Sequence, residues 1–302
     1  MQSSGISSLA TAATDQPIGA QPRSRHALIG RSTAIDRRIS AVRADLTDVR
    51  LAASVFAPHY AAAMRQTAAS ILPIRQLPDR NSLVLSELLP GETFETLELS
   101  EGVAWGIGTT DSVVGYVDAH GLMEFAAPTH RVLSVAARLH EAPNINAAIL
   151  ATLPAGARIA ALGERDRFLL TDYGYIAATD LAAIDHGSSD IVAAAAGLKG
   201  VPARAGGRSG AGVDPHGLVF LAYDLCGQAA PRFGDLQAAD LGDAVAQDAT
   251  SSAGEIWFFT DHVAMLVSPD KALHVVDRVC EISSSALLAG DYGPILARRR
   301  IA

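Results

Sequence analysis

The sequence predicts an α+β protein in which strand-rich text comes first and one buried helix with an antiparallel sheet comes second. Three observations carry this. Ile71 to Asp185 reads as short strands with turn signals and repeats internally. Asp214 to Leu225 carries Leu218, Leu221, Ala222 and Leu225 at i, i+3, i+4 and i+7, the spacing of one helix face. Four strand-like runs follow, Glu255 to Phe259, Val263 to Val267, Ala272 to Val276 and Pro294 to Ala297, and a helix followed by strands is an α+β arrangement.

Taken in chain order, residues 1–35 have no period and are expected to form a disordered leader. Residues 36–70 form an Arg-rich arm, helical in part, with Leu46, Val49, Leu51 and Val55 as candidate buried positions. Two repeat units follow, 71–125 and 127–184. Leu89-Pro90-Gly91-Glu92 is echoed by Leu153-Pro154-Ala155-Gly156, and Gly115-Tyr116-Val117 with Leu122 is echoed by Gly174-Tyr175-Ile176 with Leu181. A small closed barrel suits each unit, because closure removes exposed strand edges in a domain too small for two sheets. The last domain, 186–302, opens with a helix from Asp190 to Leu198, capped by Ser188, Ser189 or Asp190. A Gly-rich loop, Gly200 to Gly212, leads to the main helix, and Gly227 stands where a helix stop belongs.

Composition excludes several classes. With 49% hydrophobic and 19% charged residues, the chain is too apolar to stay disordered. A formal net charge of −8 supplies no basic field for nucleic acid. The longest helix-like apolar stretch, Ile191 to Leu198, is far short of the roughly 20 residues that span a bilayer, so no membrane partner is expected. The 2 cysteines, Cys226 and Cys280, make no disulfide framework and no zinc spacing, and no cofactor is implied. The N-terminus lacks an apolar core of signal-peptide length, so a cytoplasmic location is expected.

Six segments of the last domain, in order, resemble the NlpC (p-sixty) family of papain-like cell-wall endopeptidases. They are Gly206-Gly207, Asp214-Pro215-His216-Gly217-Leu218-Val219, Pro231-Arg232-Phe233-Gly234-Asp235-Leu236-Gln237, Gly254-Glu255-Ile256-Trp257-Phe258-Phe259, His262-Val263-Ala264 and Leu273-His274-Val275. The two upstream repeats look like the bacterial SH3-like barrels that often precede this domain. The resemblance implies cysteine-based acyl transfer on γ-D-glutamyl-diamino-acid bonds of peptidoglycan. It makes His262 the base, His274 its orienting partner and residue 215 the nucleophile position, with Asp214, His216, Arg232, Asp235 and Gln237 as substrate contacts.

Residue 215 is proline. It has no nucleophilic atom, yet it fits the first turn of a helix, where its missing N–H is not needed. Fold can therefore persist where chemistry does not. Ala203 and Ala205 also stand where the family has aromatics, and Phe233-Gly234 where it has Asp-Ser. The expectation is an inactive homologue, a pseudoenzyme binding a muropeptide-like ligand or a protein partner such as an active paralogue. The alternative is a hydrolase with residual or unusual activity. His262 and His274 are expected on adjacent strands facing residue 215. No metal site is expected, since His216 diverges from position 215 by about 100° around the helix. Cys226 reads as core packing and Cys280 as a small buried hydrophobe without a histidine neighbour in sequence. Arg298-Arg299-Arg300 reads as a solvated tail or a pair of ion pairs.

Overall fold

In a computed structural model of the chain, residues 35–188, 190–260 and 262–301 are described. The expected leader, 1–35, lies outside them except for Ile35. In the arm, β1 (Leu46–Asp48) and β2 (His59–Ala61) pair in parallel around a 3-10 turn at Val49–Leu51. This corrects the helical expectation. Asp48 accepts the Arg50 backbone N–H at 2.8 Å, a local bond that favours a turn over a helix. Of the four candidate positions Leu46, Leu51 and Val55 are half-buried and Val49 is exposed, while Ala41, Val42 and Ala57 are buried.

A seven-stranded sheet follows, made of β3 (Met64–Ala68), β4 (Leu72–Arg75), β5 (Val84–Leu88), β6 (Thr93–Ser100), β7 (Val103–Gly108), β8 (Val114–Asp118) and β9 (Leu122–Glu124). Its order is β5-β4-β8-β7-β6-β3-β9. The boundary expected at residue 70 moves: β3 belongs to this sheet, its Thr67 and Ala68 buried between β6 and β9.

The next segment holds β10 (His130–Val132), β11 (Ala136–His140), β12 (Ile149–Pro154), β13 (Arg158–Ile159), β14 (Gly163–Arg165), β15 (Phe168–Thr171), β16 (Gly174–Ala177) and β17 (Leu181–Ala183). Their orders are β12-β11-β16-β15-β14 and β13-β10-β17. This is the pairing of the first sheet repeated one for one, with the strand that runs unbroken as β6 divided into β13 and β14. The Gly-Tyr-aliphatic strands β8 and β16 each lead through a 3-10 turn, Ala119–Gly121 or Ala178–Asp180, to a closing strand.

The last segment contains α1 (Ile191–Ala196), β18 (Arg208–Ser209), β19 (Gly212–Val213), α2 (Pro215–Leu225), α3 (Gly234–Asp240), β20 (Asp243–Ala244), β21 (Glu255–Phe258), β22 (Val263–Ser268), β23 (Lys271–Val275), β24 (Val279–Ser283), α4 (Ser284–Ala289) and β25 (Ala297–Arg300). Six strands form one sheet in the order β20-β25-β21-β22-β23-β24. Among the three choices of cap for α1, Asp190 takes the role, accepting Ala193 N–H at 2.8 Å. Of the two readings of the arginine run, the structure has the ion pairs and not the tail. The run lies in β25, and Arg298 is buried on Glu255 at 2.6 Å while Arg300 reaches the same carboxylate. Those bonds, with Trp257 and Ser252, outweigh burial and hold the Glu255 carboxyl down at about 2.

The α2 helix also departs from its amphipathic pattern, because every residue from Gly217 to Asp224 is buried. One side packs Leu218, Leu221 and Ala222 against Ile256, Met265 and Leu273 of the sheet. The other meets the strand-rich segments. Arg158 on β13 grips Asp224 through 3.0 and 2.5 Å bonds. Arg208, fully buried, lies over the Phe220 ring and bonds Asp111 at 2.9 Å and Glu92 at 3.0 and 2.5 Å. Both faces of α2 are therefore committed, one to apolar burial worth roughly 1.5–3 kcal/mol per large side chain and the other to paired charges.

Candidate functional site

The start of α2 is specified locally. Asp214 is extended (φ −90°, ψ 172°), accepts the Gly217 N–H at 2.6 Å and is followed by Pro215 at the first helical position. Arg232 clamps the Asp214 carboxylate through bonds of 3.2 and 2.5 Å and touches Ser86 of β5. Gly217 must be glycine, since a Cβ there would sit 2.0 Å from the Gly207 carbonyl oxygen. The glycine loop and the helix start are thus one packed unit. Gln237 ties it to α3, donating from Nε2 to the carbonyls of His216 (3.0 Å) and Pro231 (2.8 Å).

Two imidazoles meet at the neighbouring sheet. His262 precedes β22 and His274 lies in β23, with His262 Nε2 and His274 Nδ1 3.2 Å apart. Such a bond needs one nitrogen to donate and the other to accept. Tyr292 stacks on His262 at 4.2 Å with planes 14° apart. Burial, then the positive charge each of His274 and His216 would carry, pushes His262 down to about 4. Burial lowers His274 as well. At neutral pH the pair is uncharged. His262 also lines a pocket of about 350 Å³ with Thr260, Asp291, Tyr292 and Gly293.

Strand alternation decides which way the pair points. Val263, Leu273 and Val275 pack with α2, so His262 and His274 project from the other face, the one bearing Trp257, Leu266 and Leu287. The body of α2 is therefore on the opposite face. Its first turn carries His216, whose charge acts on His262. The expectation that both imidazoles simply face residue 215 is corrected to this arrangement.

Of the five expected substrate contacts, Asp214, Arg232 and Gln237 are occupied in holding the helix start. Asp235 is paired with Arg38 of the arm at 2.6 and 3.0 Å, and the Arg38 guanidinium covers the Phe233 ring at 4.6 Å. Phe233 itself packs against the core of the first sheet. His216 fills the space beside Gly234, where a Cβ would lie 2.1 Å from the imidazole. Phe233 and Gly234 are thus part of the packing between arm, first sheet and helix start.

Cys226 is buried at the end of α2, with burial raising its thiol. Cys280 departs from the reading of a buried residue, and its histidine neighbour lies across the sheet and not along the sequence. It is half-buried and pairs directly across from His274 in β24, on the same face. Burial and then Asp277 raise its thiol, and among the described residues no thiol or hydroxyl bonds to either imidazole. No cluster of three or more His, Cys, Asp or Glu able to hold a metal occurs among the described residues.

Sequence reasoning missed the charges that seat the first sheet against this site: Arg208 with Glu92 and Asp111, Arg204 with Glu87, and the Glu87 bond to the Arg208 backbone N–H at 2.9 Å. The one available signal was Glu92, a carboxylate inside the repeated turn text.

No family profile matches the chain, and no curated protein matches it. Its fold is that of solved NlpC/P60 proteins. An NlpC/P60 family protein from Bacillus cereus ATCC 10987 is 16% identical, with a TM-score of 0.65 over 78% of this chain and 99% of that one. An NlpC/P60 endopeptidase from Photobacterium damselae subsp. piscicida is 12% identical, with a TM-score of 0.53 over 78% of this chain and 71% of that one. No helix among the described residues is long and apolar enough to cross a membrane.

Proposed function

We propose that this chain is a catalytically inactive NlpC-type peptidase homologue, two SH3-like barrels followed by a papain-like domain. It binds a peptidoglycan-derived peptide or a protein partner through the remnant cleft and the barrels. The observation that carries this is Pro215. It occupies the helix position where the family pattern has its nucleophile, at the first turn of α2 packed on the glycine loop. A neutral His262 bonded to His274 can accept a proton, but it has no thiol at residue 215 to take one from. Arg38 on Phe233 and Asp235, and His216 beside Gly234, fill positions where the pattern has substrate contacts. These features support a site that has lost turnover.

The second reading, a hydrolase of unusual design, rests on Cys280 opposite His274. Its raised thiol opposes it, since the thiolate is the nucleophile. One experiment separates the two. The full chain is incubated under reducing conditions with L-Ala-γ-D-Glu-diaminopimelate peptide, and cleavage and binding are measured together. The proposal expects saturable binding without cleavage. Cleavage that disappears in Cys280→Ser would establish the second reading, and cleavage lost in His262→Ala but kept in Cys280→Ser would show a nucleophile elsewhere.

A further inference from the structure

A cavity of about 810 Å³ lies between the first sheet and the second strand-rich segment, and none of its lining residues belongs to the helix start or the imidazole pair. That volume falls within the roughly 300–1,000 Å³ usual for ligand sites. Its walls are mostly apolar, with Met123 and Phe125 from one segment and Leu150, Leu153 and Ile176 from the other. Phe125 and Leu150 are exposed, so the cavity leaves apolar surface in water.

Two further features define what would fill it. β9 is the end strand of its sheet and β12 the end strand of its own, and both border the cavity. Each has a strand neighbour on one side only, which leaves backbone N–H and C=O groups free to pair with an added strand. Among the lining residues the free charges are acidic, while Arg65 beside the cavity lies over the Phe125 ring and pairs with Glu95 at 3.7 Å. Arg158, its lining cation, is buried with its guanidinium bonded to Asp224 and the Gly156 carbonyl. Glu124 and Asp172 are exposed, and among the described residues their side chains make neither an ion pair nor a hydrogen bond.

From these observations we infer that the cavity is a strand-addition site for an extended peptide segment of a partner protein, with apolar side chains at alternate positions and at least one Lys or Arg. The apolar residues would enter the trough, the backbone would pair with β9 or β12, and the cation would meet Glu124 and Asp172. Tyr173, exposed and within 3.4 Å of the Met123 sulfur through its hydroxyl, stands at the junction of the two segments and would be covered.

The test uses the full chain and a fluorescein-labelled octapeptide of alternating valine and lysine, followed by anisotropy. Three comparisons accompany it: the valine–glutamate peptide, the lysine peptide N-methylated at alternate amides, and the chain carrying Glu124→Lys with Asp172→Lys. Both substitutions are at exposed positions, and an unchanged melting temperature confirms the fold. The expected result is saturable binding of the lysine peptide, at least about tenfold weaker for each comparison. Absence of saturable binding up to about 1 mM overturns the inference. So does equal binding of the N-methylated peptide, which would leave a pocket for an apolar cation rather than a strand edge.

Discussion

Acidification should destabilise this protein through its buried imidazoles, His262 above all. Folded, the imidazole titrates at about 4, against an ordinary value of 6.5, because burial comes first and the charges of His274 and His216 come next. Between those two values the unfolded chain binds more protons than the folded one. The contribution is therefore complete above about pH 6.5 and is lost as pH falls through the folded pKa. At 1.36 kcal/mol per unit, the gap sets a loss of about 2 kcal/mol at pH 5 and about 3 kcal/mol at pH 4. The His274 shift, of the same direction and cause, adds to it. The assay is urea unfolding of the natural chain and of His262→Gln across this range. Glutamine can still donate to His274 but does not titrate. The variant should be the less stable protein near neutrality, having lost the Tyr292 stack, and the difference should close by about 2 kcal/mol by pH 5. Parallel stability curves, or a His262 resonance titrating near its ordinary value, would refute the reasoning.

Arg208→Ala leaves Glu92 and Asp111 buried without a cation, and should cost about 3–5 kcal/mol. A melting temperature lowered by less than about 6 °C would show that the cluster is not as dry as described. Gly234→Ser places a Cβ against the His216 ring and should cost about 1–3 kcal/mol as overpacking. Adding His216→Ala should recover much of that loss, and a double-mutant cycle with coupling below about 0.5 kcal/mol would contradict the contact. Pro215→Cys should gain a reactive thiol by labelling and mass spectrometry yet hydrolyse muropeptide only at trace rates, because Phe233 and Arg38 still fill the neighbouring positions; misplaced groups cost about 100-fold. Vigorous turnover by that single variant would show the cleft to be intact. Phe233→Asp would trade packing on the first sheet for a carboxylate, so it should lower the melting temperature rather than repair the site.

The sequence alone determined what local chemistry determines. Asp214-Pro215 starts α2 and Gly227, at φ +71°, follows its end. β21, β22 and β23 stand within a residue or so of the periodic runs that announce them. The recurring Gly-Tyr-aliphatic text marks the last long strand of two segments with one pairing order. Each of these signals is carried by neighbours a few positions apart, where φ/ψ preference and side-chain period act directly. The tertiary structure decided the rest. It placed β3 in a sheet rather than an arm, turned the imidazoles to the face away from the body of α2, set Cys280 across from His274 and buried Arg298 on Glu255. It also closed Arg208 on Asp111 and Glu92, 97 and 116 residues away. A charge read along the chain looks solvated whether or not a partner awaits it, because pairing across such separations depends on which surfaces meet, and no local period records that.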